Sequence, residues 1–287
     1  MIIIDYSAIS ISNIAIQKLQ PDEDLFRHMV LNSIRMYRKK YGRDYGEIVL
    51  ACDAGGNWRK DIYPEYKYAR SQGRKDSDLD WTRIYEILNK IVDEIETSFP
   101  YVVLRKEGME ADDIINSLVE YTQEFGNYEK VMIISGDKDF AQLQKYSNVD
   151  QYSPITKKLI KVDDPHVVLK TQILKGDGSD GVPNILSPDD VFVQEGGRQT
   201  PLRKKLIETF ISAKDVRDVM TDDQYRNYIR NKKMIDLSEC PIELKEYIIK
   251  QYDLQYGSQH LNRSKVMPYF IQHNCRNLLE NITDFIQ

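Results

Sequence analysis

The chain is poor in the residues that staple small or exported proteins. Only three of its 287 residues are cysteine, Cys52, Cys240 and Cys275, odd in number, far apart and without a C-x-x-C pair. That excludes a disulfide framework and a cysteine-ligated zinc site, and it fits a reducing cytoplasm. Long apolar runs are missing as well. Runs such as MIII at the start, IVLAC at 48–52 and VMII at 131–134 stop far short of the ~20 residues a membrane helix needs. No basic region leads into a signal-like segment, so a soluble, unexported protein is expected. Internal repeats and low-complexity tracts are absent, and 41% hydrophobic residues suffice for one large domain or two smaller ones.

Positive charge is also in deficit, with 40 Lys and Arg against 45 Asp and Glu and a net charge of −5. Taken alone this argues against a nucleic-acid partner, because phosphate binders are usually basic. The charges are segregated, however. Arg59, Lys60, Lys67, Arg70, Arg74 and Lys75 crowd one segment against Asp61 and Glu65, and a second basic stretch, including Arg203, Lys204 and Lys205, runs from Arg198 to Lys233. From charge alone these read as solvated helix faces.

What is present in the first half is an alternation of short apolar runs with amphipathic segments, the signature of an α/β domain with a mainly parallel sheet. Strands are predicted at 1–4, 47–51, 101–104 and 130–135, and helices at 24–41, 79–97 and 111–125. In the first helix Leu25, Met29, Ile34 and Met36 fall near helical spacing. Two alternating runs around Ser153-Pro154 predict a β-hairpin. Beyond residue 164 the pattern turns polar and helical, with helices expected at 165–175, 201–212, 222–231, 241–251 and 264–280. Residues 176–200 are rich in Gly, Pro and Asp, so loop and a nearby domain boundary are expected. The division expected is 1–163 and 164–287.

The chemistry lies where the apolar runs stop. MIII ends at Asp5, IVLAC at Asp53, and VMIISG at Asp137 and Asp139. In an open α/β sheet the carboxyl ends of the strands form the ligand crevice, so these acids should converge, with Glu110, Asp112 and Asp113 beside them. Any one of them could be only a helix cap or a complement to a helix dipole. The set cannot, because seven carboxylates facing one crevice repel one another unless cations neutralise them. Oxygen donors without His or Cys select Mg²⁺ or Mn²⁺. Asp177 and Asp180, in the loop GDGSDGVPN, raise the supply to two ions, the usual device for in-line phosphodiester hydrolysis. Alternation along the strand end is expected to aim Asp137 and Asp139 the same way and turn Lys138 aside.

The block NWRKDIYPEYKYARSQGRK (57–75) follows the second strand acid. As a helix or lid over the acidic edge it would place Lys67 and Arg70, spaced i and i+3, over a scissile phosphate. Trp58, Tyr63, Tyr66 and Tyr68 offer rings for unpaired bases, or else pack into a core.

Taken in order, I-I-I-D, the NWRKDIYPEYKYAR block, E-A-D-D, S-G-D-K-D-F and G-D-x-S-D resemble the 5′ nuclease (flap endonuclease) superfamily, most nearly its phage ribonuclease H branch, over almost the whole chain. The resemblance implies a PIN-like α/β fold, with a mainly parallel central sheet flanked by helices, a helical arch near 57–80 and a smaller, mostly helical C-terminal domain that binds DNA. It implies 5′→3′ exonuclease and flap endonuclease action on RNA and DNA during lagging-strand replication. By similarity Asp5, Asp53, Glu110, Asp112, Asp113 and Asp137 surround the tightly held Mg²⁺, and Asp139, Asp177 and Asp180 hold a second, with Mn²⁺ as a substitute. Lys67 and Arg70 match the basic pair of the arch, and Arg59, Lys60, Tyr63, Arg203, Lys204 and Lys205 are candidate nucleic-acid contacts. The implied partners are 5′-flap, forked or RNA-primed duplex DNA, with single-strand binding protein and a sliding clamp; a monomer in the host cytoplasm is implied for a phage protein.

The sequence departs from cellular relatives after G-D-x-S-D, where ILSPDDVFVQEGGRQTP replaces a glycine-rich helix-turn-helix. No N-terminal tail for clamp docking is expected, and NITDFIQ is a poor match to a clamp-binding peptide. An aspartyl phosphatase would need a second acid where Ser7 stands. A PIN ribonuclease would be shorter and would not explain the arch block. A non-catalytic DNA-binding module would have no reason to gather acids where phosphates approach.

Overall fold

Ile2, Ile3 and Ile4 are fully buried and open the central strand β1 (Ile2–Asp5). Its even residues face one hydrophobic cluster and its odd residues another, which is why an unbroken apolar run was needed. The computed structural model describes residues 1–286, with the backbone alone for Asn13 and Ile16.

Two short helices that the sequence pattern did not signal, α1 (Tyr6–Ile9) and α2 (Ile11–Gln17), follow directly. The long α3 (Glu23–Tyr45) is capped by Asp22, whose carboxylate accepts from the Leu25 amide, and carries Glu23 and Asp24 in its first turn. Its buried stripe is Phe26, Val30, Leu31, Ile34 and Tyr37. Leu25 and Met36, expected on that stripe, are exposed, because the aromatic pair Phe26 and Tyr37 turns the inward face by one residue. Then come β2 (Ile48–Cys52), α4 (Arg59–Ile62), α5 (Tyr68–Lys75), α6 (Trp81–Ser98), β3 (Val102–Arg105) and α7 (Ala111–Glu120). The helix expected to reach residue 125 ends at Glu120, where the chain widens into a π-turn at Tyr121–Phe125.

β4 (Val131–Ile134) and the hairpin β5 (Val149–Ser153) and β6 (Lys158–Ile160) complete a six-stranded sheet of order β3-β2-β1-β4-β5-β6, parallel except for β6. The chain winds outward from β1 to β3, then crosses to β4 on the other side of β1. The topological switch therefore lies between β1 and β4, and a ligand crevice is expected beyond their carboxyl ends. Asp5 closes β1, and Asp137 follows β4.

Helices α3 and α6 cover one face of the sheet and α7 the other. The region beyond 164 is helical: α8 (Pro165–Lys175), α9 (Lys204–Ser212), α10 (Asp222–Ile235), α11 (Ile242–Tyr256), α12 (Val266–Gln272), α13 (Arg276–Leu279) and α14 (Thr283–Ile286). The single helix expected at 264–280 is thus broken into pieces. Small clusters centred on Ile173, Met234 and Phe210 hold α8, α9 and α10 together. The remaining helices return to the sheet: the Gln255 amide bonds both backbone groups of Val103, and Phe270 and Phe285 pack on Phe99. Among the described residues no helix is long and apolar enough to cross a membrane.

Candidate active site

The acids do converge, in two groups. Asp5, Asp53, Glu110, Asp112, Asp137 and Asp180 border one cleft of about 900 Å³ beyond the strand ends. Asp139, Asp177 and Asp180 form the tighter group, each offering a carboxylate oxygen, all within 4.8 Å of one another. Asp180 belongs to both.

Local structure fixes each carboxylate. Asp5 caps α1 by accepting from the Ala8 amide at 3.1 Å and takes the Ser135 hydroxyl at 2.9 Å. Asp53 accepts from the Ala111 amide at 2.9 Å, and from Ser7 at 2.7 Å, where a phosphatase would need an acid. Asp137 caps the 3₁₀ turn Lys138–Lys145 through the Asp139 amide at 2.9 Å, and Asp139 accepts from Gln172 at 2.8 Å. The loop at Asp177 needs glycine. Gly176 has φ +68° and a Cβ there would lie 2.3 Å from the Val182 carbonyl oxygen; at Gly181, with φ +74°, it would lie 3.0 Å from the Glu65 oxygen.

The basic segment reaches this group. Lys67 adopts the left-handed conformation, φ +57°, and its amide donates to the Asp180 carbonyl at 2.7 Å. Its ammonium lies 2.5 Å from Glu110 and 3.6 Å from Asp180, and Arg70 binds Asp180 at 2.7 Å. The Tyr66 hydroxyl sits 3.0 Å from Glu110 and 3.1 Å from Asp180. Both arch cations therefore rest on the acids.

Charge is nevertheless unbalanced. Burial, and then Asp53, push the Asp5 carboxyl up to about 7. Burial, Asp137 and Asp177 push Asp139 up to about 7, and burial with Asp137 raises Asp112 well above its ordinary range. Burial also pushes Glu110 and Asp177 up, but Lys67 overcomes it at Glu110, and Ser179 and Lys138 at Asp177, so both stay below the usual value. A buried all-oxygen donor set whose charge the protein's own cations leave partly unrelieved suits a hard divalent cation.

Several expectations need correction. Asp113 is fully buried and held away from the cleft by Arg59, at 2.8 Å and 3.0 Å, and by the Trp58 indole at 3.1 Å. Arg59 is buried on that pair, on the Met234 carbonyl at 3.0 Å and on Glu110 at 3.6 Å, which leaves it no open side for nucleic acid. Tyr63 is buried, its hydroxyl on the Gly181 and Asp189 carbonyls, and Trp58 and Tyr66 are buried too, leaving Tyr68 as the exposed ring of the four. Lys138 is not turned aside: it pairs with Asp177 at 2.9 Å, because β4 ends at Ile134 and strand alternation no longer applies. Lys60 borders the cleft, and Arg203, Lys204 and Lys205 stand exposed where α9 begins. The polar side chains that hold the acids, Ser7, Ser135, Gln172 and Ser179, were not given that part by the sequence reading. Ser135 and Ser179 stood inside the S-G-D-K-D-F and G-D-x-S-D motifs and Ser7 close to a strand end, whereas Gln172 carried no signal.

A parallel sheet with acids at its switch edge under a basic arch defines a class. The chain belongs to the 5′→3′ exonuclease family: the family model described as the 5′-3′ exonuclease N-terminal resolvase-like domain matches residues 6–172. A second model, described as T4 RNase H, C terminal, matches residues 164–285. Ribonuclease H of Enterobacteria phage T4 is 33% identical over 296 residues, covering 99% of this chain and 95% of that protein. A 5′-3′ exonuclease of Mycoplasmopsis pulmonis is 27% identical over 210 residues, covering 70% of this chain and 64% of that protein. The flap endonuclease of bacteriophage T5, solved as a pseudo-enzyme–product complex with DNA and metal ions, shares the fold with a TM-score of 0.61 at 17% identity, over 95% of this chain and 97% of that one.

Proposed function

We propose that this chain is a structure-selective 5′→3′ exonuclease and flap endonuclease that uses two Mg²⁺ ions, with Mn²⁺ as a substitute, to hydrolyse RNA primers and adjacent DNA on lagging-strand duplexes. The observation that carries the reading is that Lys67 of the arch reaches Glu110 and Asp180, and Arg70 reaches Asp180, carboxylates that border the acid cleft. Asp139, Asp177 and Asp180 are suited to hold one ion, and Asp5, Asp53, Glu110, Asp112 and Asp137 the other. Bound divalent ions supply activation of water and stabilisation of the departing oxyanion. The chain's own part is positioning. Lys67 and Arg70 exchange their carboxylates for the oxygens of the reacting phosphate. Lys60 beside the cleft, and Arg203, Lys204 and Lys205 at the start of α9, take duplex phosphates. The relationship to a phage ribonuclease H supports an RNA-containing duplex substrate, and 5′-flap and forked duplexes, a monomer in the host cytoplasm, and work beside single-strand binding protein and a sliding clamp complete the same reading.

The test is cleavage of a labelled 5′-flap and of an RNA-primed duplex with Mg²⁺ and with EDTA. Metal-dependent release of short 5′ products is expected, and Asp137→Asn should abolish it while DNA binding is kept or tightened, since a repulsive charge goes. Folded protein that cuts neither substrate with Mg²⁺ or Mn²⁺ would overturn the reading; weaker binding with normal turnover would remove Asp137 from the ion site.

A further inference from the structure

The same cleft is also bordered, beside the acids, by residues of a different chemistry. Tyr85 and Asn89, one helical turn apart and so on one face of α6, border it together with Arg74 at the end of α5 and Ile11 and Ser12 of α2. Arg74 makes no ion pair among the described residues. Its guanidinium lies over two rings instead, 5.4 Å from the centre of Tyr85 and 5.7 Å from that of Trp81. The rings are themselves 6.0 Å apart and tilted by 35°. Trp81 packs on the hydrophobic core, and Tyr85 stands in front of it at the cleft wall. The ring shares the cleft lining with Asp53, and burial, opposed by Arg74 and helped by Asp53, raises its hydroxyl above the ordinary range.

A ring, a guanidinium that stacks, an amide and one aliphatic side chain, with no carboxylate among them, form a poor site for a metal ion. They suit a flat, neutral, polar-edged group. We propose that this part of the cleft is a nucleobase subsite: the unpaired base adjoining the scissile phosphate stacks on Tyr85, Arg74 closes over it, and the Asn89 amide meets its edge. The assignment rests on the nuclease reading above for which base is seated, though not for whether one is. Tyr85 is on this account a positioning residue, because holding the first unpaired base fixes which phosphodiester lies at the acids.

Two measurements test it. A 5′-flap carrying 2-aminopurine at that base is titrated with protein in EDTA, where no cleavage intervenes. Quenching by wild type and Tyr85→Phe, and its loss in Tyr85→Ala and in Tyr85→Leu, is expected. With Mg²⁺, Tyr85→Ala should lower kcat/KM about tenfold, and an abasic nucleotide at the same position should cost wild type the same factor while costing Tyr85→Ala nothing further. Tyr85→Leu preserves apolar bulk without a ring face, and its melting temperature separates loss of stacking from loosening of α6. Additive effects of the variant and the abasic site, or quenching that survives in Tyr85→Leu, would overturn the subsite. Wild type that quenches in EDTA but never cleaves would leave the subsite standing and sink the nuclease reading.

Discussion

Cations of the same arch segment meet carboxylates of the rest of the fold in two sets with different fates. Arg59 and Asp113 meet with 2% and 0% of their side-chain surface exposed, walled in by Trp58 and tied to the Met234 carbonyl. Lys67 and Glu110 retain 17% and 16%, and Arg70 keeps 44% where it meets Asp180. Each pair sets a cation against a carboxylate, and what separates the sets is their access to water. A fully buried pair cannot exchange partners, because removing one charge strands the other in a low dielectric. A pair facing a water-filled cleft can, because water, a divalent cation or a phosphate oxygen can replace either member. The first set fastens the arch to α7 and α10 and touches the second only where Arg59 comes within 3.6 Å of Glu110, while the second stays open to exchange.

The largest effect is therefore expected at the buried set. Arg59→Ala leaves the Asp113 carboxylate unpaired and should destabilise the fold by about 3–5 kcal/mol. Chemical denaturation read against wild type measures this. Cleavage per folded molecule at low temperature should fall far less than stability does. If turnover collapsed while the denaturation midpoint stayed put, Arg59 would be a cleft residue and the comparison would fail.

The converse holds for Lys67→Ala. Loss of one preorganised cation at the reacting phosphate should slow single-turnover cleavage on the order of 10²-fold, with a smaller change in the midpoint than Arg59→Ala gives. Single-turnover rates equal to wild type at saturating enzyme would exclude this role. The order of the two variants should thus reverse between the stability axis and the rate axis, which is a sharper statement than either alone.

The comparison also marks where the sequence was legible. Apolar runs stopping at Asp5, Asp53 and Asp137 located the crevice, because a two-faced parallel strand must be apolar throughout and the change to acid marks its end. The block around Lys67 and Arg70 showed its character through composition. Burial of individual side chains was not legible. Asp112 and Asp113 are neighbours in sequence, yet successive residues of a helix start point about 100° apart, so one borders the cleft and the other meets Arg59 in the interior. Arg59 and Lys60 divide in the same way. Tyr63 and Tyr66 looked like stacking rings because an exposed and a buried tyrosine read alike, whereas Tyr85 drew no notice, its helical spacing being that of an ordinary surface position. The breaks in the last helices were equally hidden, since they follow from return contacts to Phe99 and Tyr101 that are far away in the chain.

The smallest predicted effect tests the unrelieved charge of the cleft directly. The Asp5 and Asp139 carboxyls, at about 7, bind protons in the folded chain over a range where the unfolded chain, near 3.8, has already lost them. The unfolded state therefore binds fewer protons between about pH 4 and 7, and stability must fall as pH rises through that window. Glu110 and Asp177, held below their ordinary values, work the other way, but their stabilisation is present above the unfolded carboxylate range and is lost only in acid. Burial lowers His273 and the Met1 ammonium as well, which favours folding as pH rises in the upper part of the window, so the slope is read against Asp5→Asn, which removes the acid contribution and leaves theirs. In EDTA the melting temperature should accordingly drop by a few degrees from pH 5.5 to pH 8, and Mg²⁺ should restore more of it at pH 8 than at pH 5.5, because a cation neutralises charge that protons have vacated. A melting temperature in EDTA that stays level or climbs across this interval would mean that the acids are already balanced by Lys67, Arg70 and Lys138, and the case for a cation at the cleft would lose its electrostatic footing.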